Sequence, residues 1–282
     1  MSPHARGLLF ITLSAAAYSL AGFFTRLIAL DIWTTLFWRG LFAGVFIAGF
    51  ILVRERRATP AAVRAIGRPG IAAAILSTVA TIMFLNAFRL TSVADVMVIA
   101  AAIPFVTAAL GWLWLRETES WATLAASLAA LLGVAVMVGG AIGQGHLAGD
   151  LLAFGVVAAM AVMLLIIRRH RDVSMLPAVC LSALLCPLFV WPAAAPLAVT
   201  APEMLLLALF GTVQFALGLV FLTLGGRLVS ATENALVSTI ETPLAVVWVW
   251  LAFQEVPSSA SLIGGLIVLG AVVAHAAWTA RG

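Results

Sequence analysis

Runs of about twenty apolar residues, the length a helix needs to cross the core of a bilayer, recur along this chain from end to end. Ten can be read, at 7–29, 34–53, 69–88, 91–115, 120–140, 148–167, 174–195, 204–226, 231–253 and 258–279. The runs are continuous and lack period-two alternation, and in lipid only helices and closed barrels satisfy every backbone polar group. They predict an all-α membrane protein with ten transmembrane helices. Composition agrees, since 9% of the residues are charged against the ~25% that a soluble domain carries, and the mean hydropathy is +1.19.

The chain also echoes itself. Residues 89–117, RLTSVADVMVIAAAIPFVTAALGWLWLRE, and 227–255, RLVSATENALVSTIETPLAVVWVWLAFQE, have equal length and share Arg89/Arg227, Leu90/Leu228, Ser92/Ser230, Trp112/Trp250, Leu113/Leu251 and Glu117/Glu255 at a constant offset of 138, with Asp95 opposite Glu233. Such self-similarity predicts a duplication, with one five-helix repeat over 1–140 and a second over 141–282. An odd number of helices per repeat turns the second half upside down relative to the first. Each echo is broken by a proline, Pro104 and Pro243, and paired broken spans in two halves are a pointer to a transporter's binding site. A proline withholds one backbone bond and crowds the carbonyl four residues back, here Ala100 and Thr239. Bends bordering a cavity are expected at both places.

The formal net charge of +4 taken alone fits a nucleic-acid partner, but every basic residue is Arg and the charges sit in short loops. They read as topology signals, with no nucleic acid implied. With the N-terminus cytoplasmic, the inner side receives Arg6, Arg54, Arg56, Arg57, Arg64, Arg68, Arg116, Arg168, Arg169, Arg171, Arg227 and Arg281, the outer side only Arg89, and Arg26 and Arg39 fall within spans. The positive-inside rule then places both termini in the cytoplasm of a cell, or inner, membrane. Gly7 to Arg26 repeats the spacing of Gly149 to Arg168, so the first run is read as a helix and not as a cleaved leader.

Small residues in rows, Ala122, Ala126 and Ala130 beside Ala125, Ala129 and Gly133, Ala260 with Gly264, Ser261 with Gly265, and Gly40 with Gly44, allow close helix approach. Packing within the bundle and a dimer face both fit, so monomer and homodimer stay open. The tryptophans cluster near span ends, as in an interfacial belt. Cys180 and Cys186 read as packing thiols.

Charge inside a membrane costs ~2.5–3.5 kcal/mol on insertion scales, so each instance is a functional candidate. Glu241 is the one charged side chain read near the midplane. Two readings stand: proton coupling or capture of a substrate ammonium, and a neutral carboxylic acid bonded to a neighbouring helix. Gln214, Ser238 and Thr242 hold either a substrate or one another. Tyr18, the only tyrosine, needs a polar partner or a cavity for its hydroxyl. Arg26, Arg39 and Asp95 lie at similar depth and are read as a structural ion-pair cluster, because a lone buried arginine is costly. Glu117 and Glu255 read as end-of-helix features before the N-caps Ser120 and Ser258; His275 is given no role.

On the segments from Pro104 to Glu117 and from Pro243 to Glu255, the Gly/Ala-rich span after each, and Trp38-Arg39-Gly40 at the start of the second span, the chain resembles the drug/metabolite transporter superfamily, in particular its EamA-type ten-helix exporters. The resemblance implies a central cavity between the two halves, lined by spans one, three, four, six, eight and nine. Its candidate lining residues are Tyr18, Thr78, Thr81, Ala101, Pro104, Met163, Gln214, Phe215, Ser238, Glu241 and Thr242. One departure is that Pro243 stands one position beyond the 138 offset from Pro104.

The expectation is a secondary active transporter that exports a small molecule by alternating access, with amino acids of large apolar or aromatic side chain as the leading substrate class. A multidrug or cationic-compound exporter of the same fold is the alternative, and a channel or structural membrane subunit the reading of another class. An intramembrane enzyme would need a nucleophile–base pair or a metal cluster. No HExxH occurs and the histidines are scattered, so neither enzyme chemistry, cofactor nor metal is read. No arginine is expected at mid-depth, which argues against phosphate-bearing substrates.

Overall fold

The computed structural model describes residues 2–55, 66–115, 121–141, 146–170, 175–229, 234, 237–238 and 240–279. The expectations placed on Glu117, Ser120, Thr239 and the loop arginines Arg56, Arg57, Arg64, Arg116, Arg171 and Arg281 lie outside the described residues, and with them Ser230 and Glu233 of the second echo.

All regular structure among the described residues is helical: α1 (Pro3–Ser19), α2 (Ala21–Leu27), α3 (Ile32–Glu55), α4 (Gly67–Leu90), α5 (Val93–Ala100), α6 (Ile103–Leu115), α7 (Trp121–Ala141), α8 (Leu147–Arg169), α9 (Met175–Val190), α10 (Ala201–Leu209), a π-helical stretch (Phe210–Leu217), α11 (Gly218–Gly225), α12 (Glu241–Phe253) and α13 (Ser259–Thr279). Seven stretches, some joining two of these helices, are long and apolar enough to cross a membrane, and three shorter apolar helices accompany them. The chain is thus an integral, multi-pass membrane protein.

Short polar side chains start the helices by taking otherwise orphaned N–H groups. Ser2 accepts from Ala5 N–H at 3.1 Å, Asp31 from Thr34 N–H at 2.9 Å, Ser92 from Asp95 N–H at 3.0 Å and Ser258 from Ser261 N–H at 3.1 Å. The prolines behave differently from mid-helix kinks. Pro104 is the second residue of α6 and Pro243 the third of α12, positions where a missing N–H breaks no helical bond. The irregular backbone lies just before them. Ala102 N–H reaches only three residues back, to Ile99 at 3.0 Å, and Ile240 N–H bonds the Val237 carbonyl at 3.2 Å. The helix is broken between α5 and α6 just ahead of Pro104, and both proline rings are exposed.

Helices pair as α1 along α11, α4 along α8, α3 along α9, α5 along α12 and α7 along α13. The small residues serve these contacts. A Cβ on Gly133 would stand 2.7 Å from the Gly264 carbonyl, and one on Gly44 2.5 Å from Leu184, so both rows of small residues are used within the bundle. A core of buried Phe24, Phe37, Phe88, Phe105 and Phe210 with aliphatic neighbours fills the space between α2, α3, α4 and α6. Trp248 departs from the expected belt, since its Nε1 donates to Ser19 Oγ at 3.0 Å inside the bundle.

Candidate functional site

One cavity of about 340 Å3 opens between the helices, within the range of small-molecule sites. Its polar lining residues are Tyr18 from α1, Arg39 from α3, Thr81 from α4, Gln214 from the π-helical stretch and Glu241 at the start of α12. Apolar lining comes from Phe84, Met97, Ile103, Val156, Met160 and Phe215. Irregular backbone surrounds it: Tyr18 lies two residues before the break between α1 and α2, Ala100 and Ile103 flank the break between α5 and α6, and Glu241 follows the tight turn at Ile240. Non-helical backbone at membrane depth is tolerated where it borders a cavity or is buried in protein. A π-helical stretch, too, often marks a functional position.

Arg39 links several of the polar lining residues. It is 5% exposed, its Nη2 donates to Gln214 Oε1 at 3.2 Å, and Gln214 Nε2 in turn donates to the Tyr18 carbonyl at 3.3 Å. The guanidinium lies 4.8 Å from the Phe210 ring and 4.7 Å from the Phe215 ring. Attraction to two ring faces holds a buried cation that, among the described residues, no carboxylate pairs with. Its Nε has no partner, so donor capacity remains. Tyr18 sits edge-on to Phe215 with ring centres 6.4 Å apart, within electrostatic reach of both Glu241 and Arg39.

Three expectations are corrected. First, Arg26, Arg39 and Asp95 do not form a cluster. Arg26 Nε pairs with Glu255 Oε2 at 2.8 Å, and Asp95 is satisfied by the hydroxyls of Ser92, Thr91 and Ser261. Arg39, placed on the face of α3 that meets the π-helical stretch, goes to the cavity, so the expectation of no arginine there is overturned. Second, Glu255 is more than a helix end, because its other oxygen accepts Val93 N–H at 2.8 Å. Third, the expected lining is only in part brought together. Tyr18, Thr81, Gln214, Phe215 and Glu241 line the cavity. Thr78 instead donates to the Ser182 carbonyl at 3.0 Å, Thr242 is buried in packing, Ser238 donates to Asn234 Oδ1 at 3.4 Å, and Pro104 faces outward. Met163 and Ala101 give way to Met160 and Ala100.

Among the described residues, a helical membrane bundle around a cavity that holds buried charged and polar side chains suits a membrane transporter. The chain belongs to the EamA-like transporter family, whose model matches residues 5–139 and again 147–275, and so to the drug/metabolite transporter superfamily. A crystal structure described only as that of a protein aligns over 99% of this chain and 100% of its own at a TM-score of 0.65 and 18% identity, and shows the same fold. No curated protein matches.

Proposed function

We propose that this transporter exports zwitterionic amino acids with large apolar or aromatic side chains across the cell inner membrane. The observation that carries the reading is the cavity's lining, which combines a cation, Arg39, and an acid, Glu241, with a larger set of apolar side chains. A carboxylate meets the free guanidinium N–H groups, an ammonium meets Glu241, and an apolar side chain meets Phe84, Met97, Ile103, Val156 and Met160. A purely cationic drug leaves Arg39 unanswered, so a multidrug role is the weaker fit.

Alternating access of two inverted five-helix halves is the mechanism we favour. Several features support it. The family model matches twice. α6 and α12 begin 138 positions apart and end 138 apart, as do α7 and α13. Seven long and three shorter apolar helices agree with ten crossings, and the arginine asymmetry supports cytoplasmic termini.

The experiment is transport in proteoliposomes with a panel of labelled amino acids and cations, with and without a pH gradient. Arg39→Gln should weaken binding of amino acids and spare cations. Glu241→Gln should abolish dependence on the pH gradient with binding kept if Glu241 carries the proton, or weaken binding of ammonium compounds if it holds the substrate. Normal rate, affinity and pH dependence in Glu241→Gln makes it a structural acid. Flux without saturation or counterflow would mean a channel.

A further inference from the structure

Asp150, in the first turn of α8, is 0% exposed, and among the described residues neither of its carboxylate oxygens makes a well-formed hydrogen bond. A buried carboxylate without donors is costly and calls for an explanation. It lies outside the cavity lining, at the end of the bundle where α4 turns into α5. Gly149 lets α8 approach that turn so closely that a Cβ would stand 2.6 Å from Thr91 Cβ and 2.7 Å from Thr91 N. Asp150 packs against the Thr91 side chain, with Asp95 within electrostatic reach.

The Thr91 hydroxyl has a single hydrogen and gives it to Asp95 Oδ2 at 3.3 Å, so it has none for Asp150, though its lone pairs can accept. Asp95 needs nothing more, since Ser92 Oγ donates to Oδ2 at 2.6 Å and Ser261 Oγ to Oδ1. The surrounding charges are spoken for. Arg26 is held by Glu255 and by the carbonyls of Phe88 and Thr91, and Arg89 by the carbonyls of Ile28 and Leu30. His146 stands one turn back at the start of α8, while α6 and α7, which also pack on α8, carry no ionisable residue.

The geometry points to a proton-binding site at Asp150 that closes this end of the transporter. A hydrogen on the Asp150 carboxyl is directed at Thr91 Oγ, which passes its own to Asp95, so the buried acid is neutral and its hydrogen has an acceptor. The relay ties α8 in the second half to the α4–α5 turn in the first, with α13 joined through Ser261. Loss of the proton leaves two carboxylates facing one hydroxyl hydrogen, and their repulsion favours opening. The gating role rests on the transport reading; proton binding itself needs no substrate to be measured.

The test uses the purified full chain in lipid. Infrared difference spectra should show a protonated carboxyl that Asp150→Asn removes and Glu241→Gln retains. Spin labels at the exposed positions Leu147 and Trp33 should move apart as pH rises in wild type and in Glu241→Gln. They should stay together in Asp150→Asn, whose amide donates to Thr91 at any pH. Thr91→Val, which removes the acceptor for the Asp150 proton, should shift the opening to lower pH and serves if Asp150→Asn fails to fold. The proposal is overturned if Asp150→Asn leaves the carboxyl band in place or the labels separate in it as in wild type. Closure driven by sodium at constant pH would overturn it equally. Because these readouts involve no substrate, absence of amino-acid transport would refute the functional reading and leave this one standing.

Discussion

Arg26 and Glu255, 229 positions apart, form an ion pair at 2.8 Å that joins the end of α2 to the segment after α12. Glu255 also caps α5 through Val93 N–H, and Arg26 also holds the carbonyls of Phe88 and Thr91. Both side chains are partly exposed, 23% and 24%, so the charge attraction alone contributes little and the bonds to backbone carry more of the effect. Glu255→Gln keeps an acceptor for Val93 and should cost about 1 kcal/mol. Glu255→Ala loses both contacts and should cost roughly twice that. Thermal unfolding in detergent checks the order; equal stability of the two variants would show that the cap to Val93 contributes nothing.

A second prediction concerns Gly211, the second residue of the π-helical stretch. A Cβ there would meet the Arg39 carbonyl at 2.6 Å and Phe42 Cβ at 2.8 Å. Backbone cannot step aside as a flexible side chain does, so Gly211→Ala must push the stretch off α3, at a cost of about 1–3 kcal/mol. Gln214 rides on the same stretch and bonds Arg39. The variant should therefore lose substrate affinity as well as stability. A melting temperature matching wild type would refute the contact.

Gln254, which ends α12, is the one non-glycine residue with positive φ among those described, at φ 56°. Left-handed backbone costs a side-chain-bearing residue roughly 1 kcal/mol, and glycine is the usual choice at such helix ends. Gln254→Gly should raise thermal stability without altering transport, as unfolding curves beside initial rates would show. A fall in stability would mean that the Gln254 side chain contributes more than its backbone strain removes.

How far the sequence carries depends on what each feature rests on. Apolar length and arginine placement are one-dimensional, so the helical membrane class was readable from them. Tyr18, Gln214 and Glu241 stood out because a polar group deep in an apolar run needs a partner wherever it faces. Arg39 was misplaced because its partners are Phe210 and Phe215, and attraction to a ring face leaves no complementary charge to search for. On α8 the error was one of helical phase. That helix is apolar on nearly every side, so no stripe distinguishes Val156 and Met160 from Met163.

The proposed topology rests on loop arginines, twelve on one side against one on the other when the N-terminus is set inside. Single cysteines placed in the 142–145 segment should react with an impermeant thiol reagent from outside intact cells, and cysteines in 56–65 only after permeabilisation. Reversed labelling would invert the proposed orientation.

The last prediction returns to Pro104. Its ring is exposed, so it touches neither the cavity nor the core, and what it supplies is the absence of an N–H opposite the Ala100 carbonyl. Pro104→Ala restores that N–H. An i to i−4 bond can then run across Ala101 and Ala102, where the backbone now turns in three-residue steps, and the bend between α5 and α6 relaxes toward straight helix. Straightening rotates Ile103 relative to Met97 and Ala100, all three of which border the cavity. Removing proline from an apolar helix favours the helix itself, so the amount of protein inserted should hold or rise while the transport rate falls, by about tenfold if the bend is worth ~1.4 kcal/mol to the transition between states. Initial rates normalised to the protein in the membrane decide it: an unchanged rate would show that the turn at Ala101–Ala102 holds without the proline.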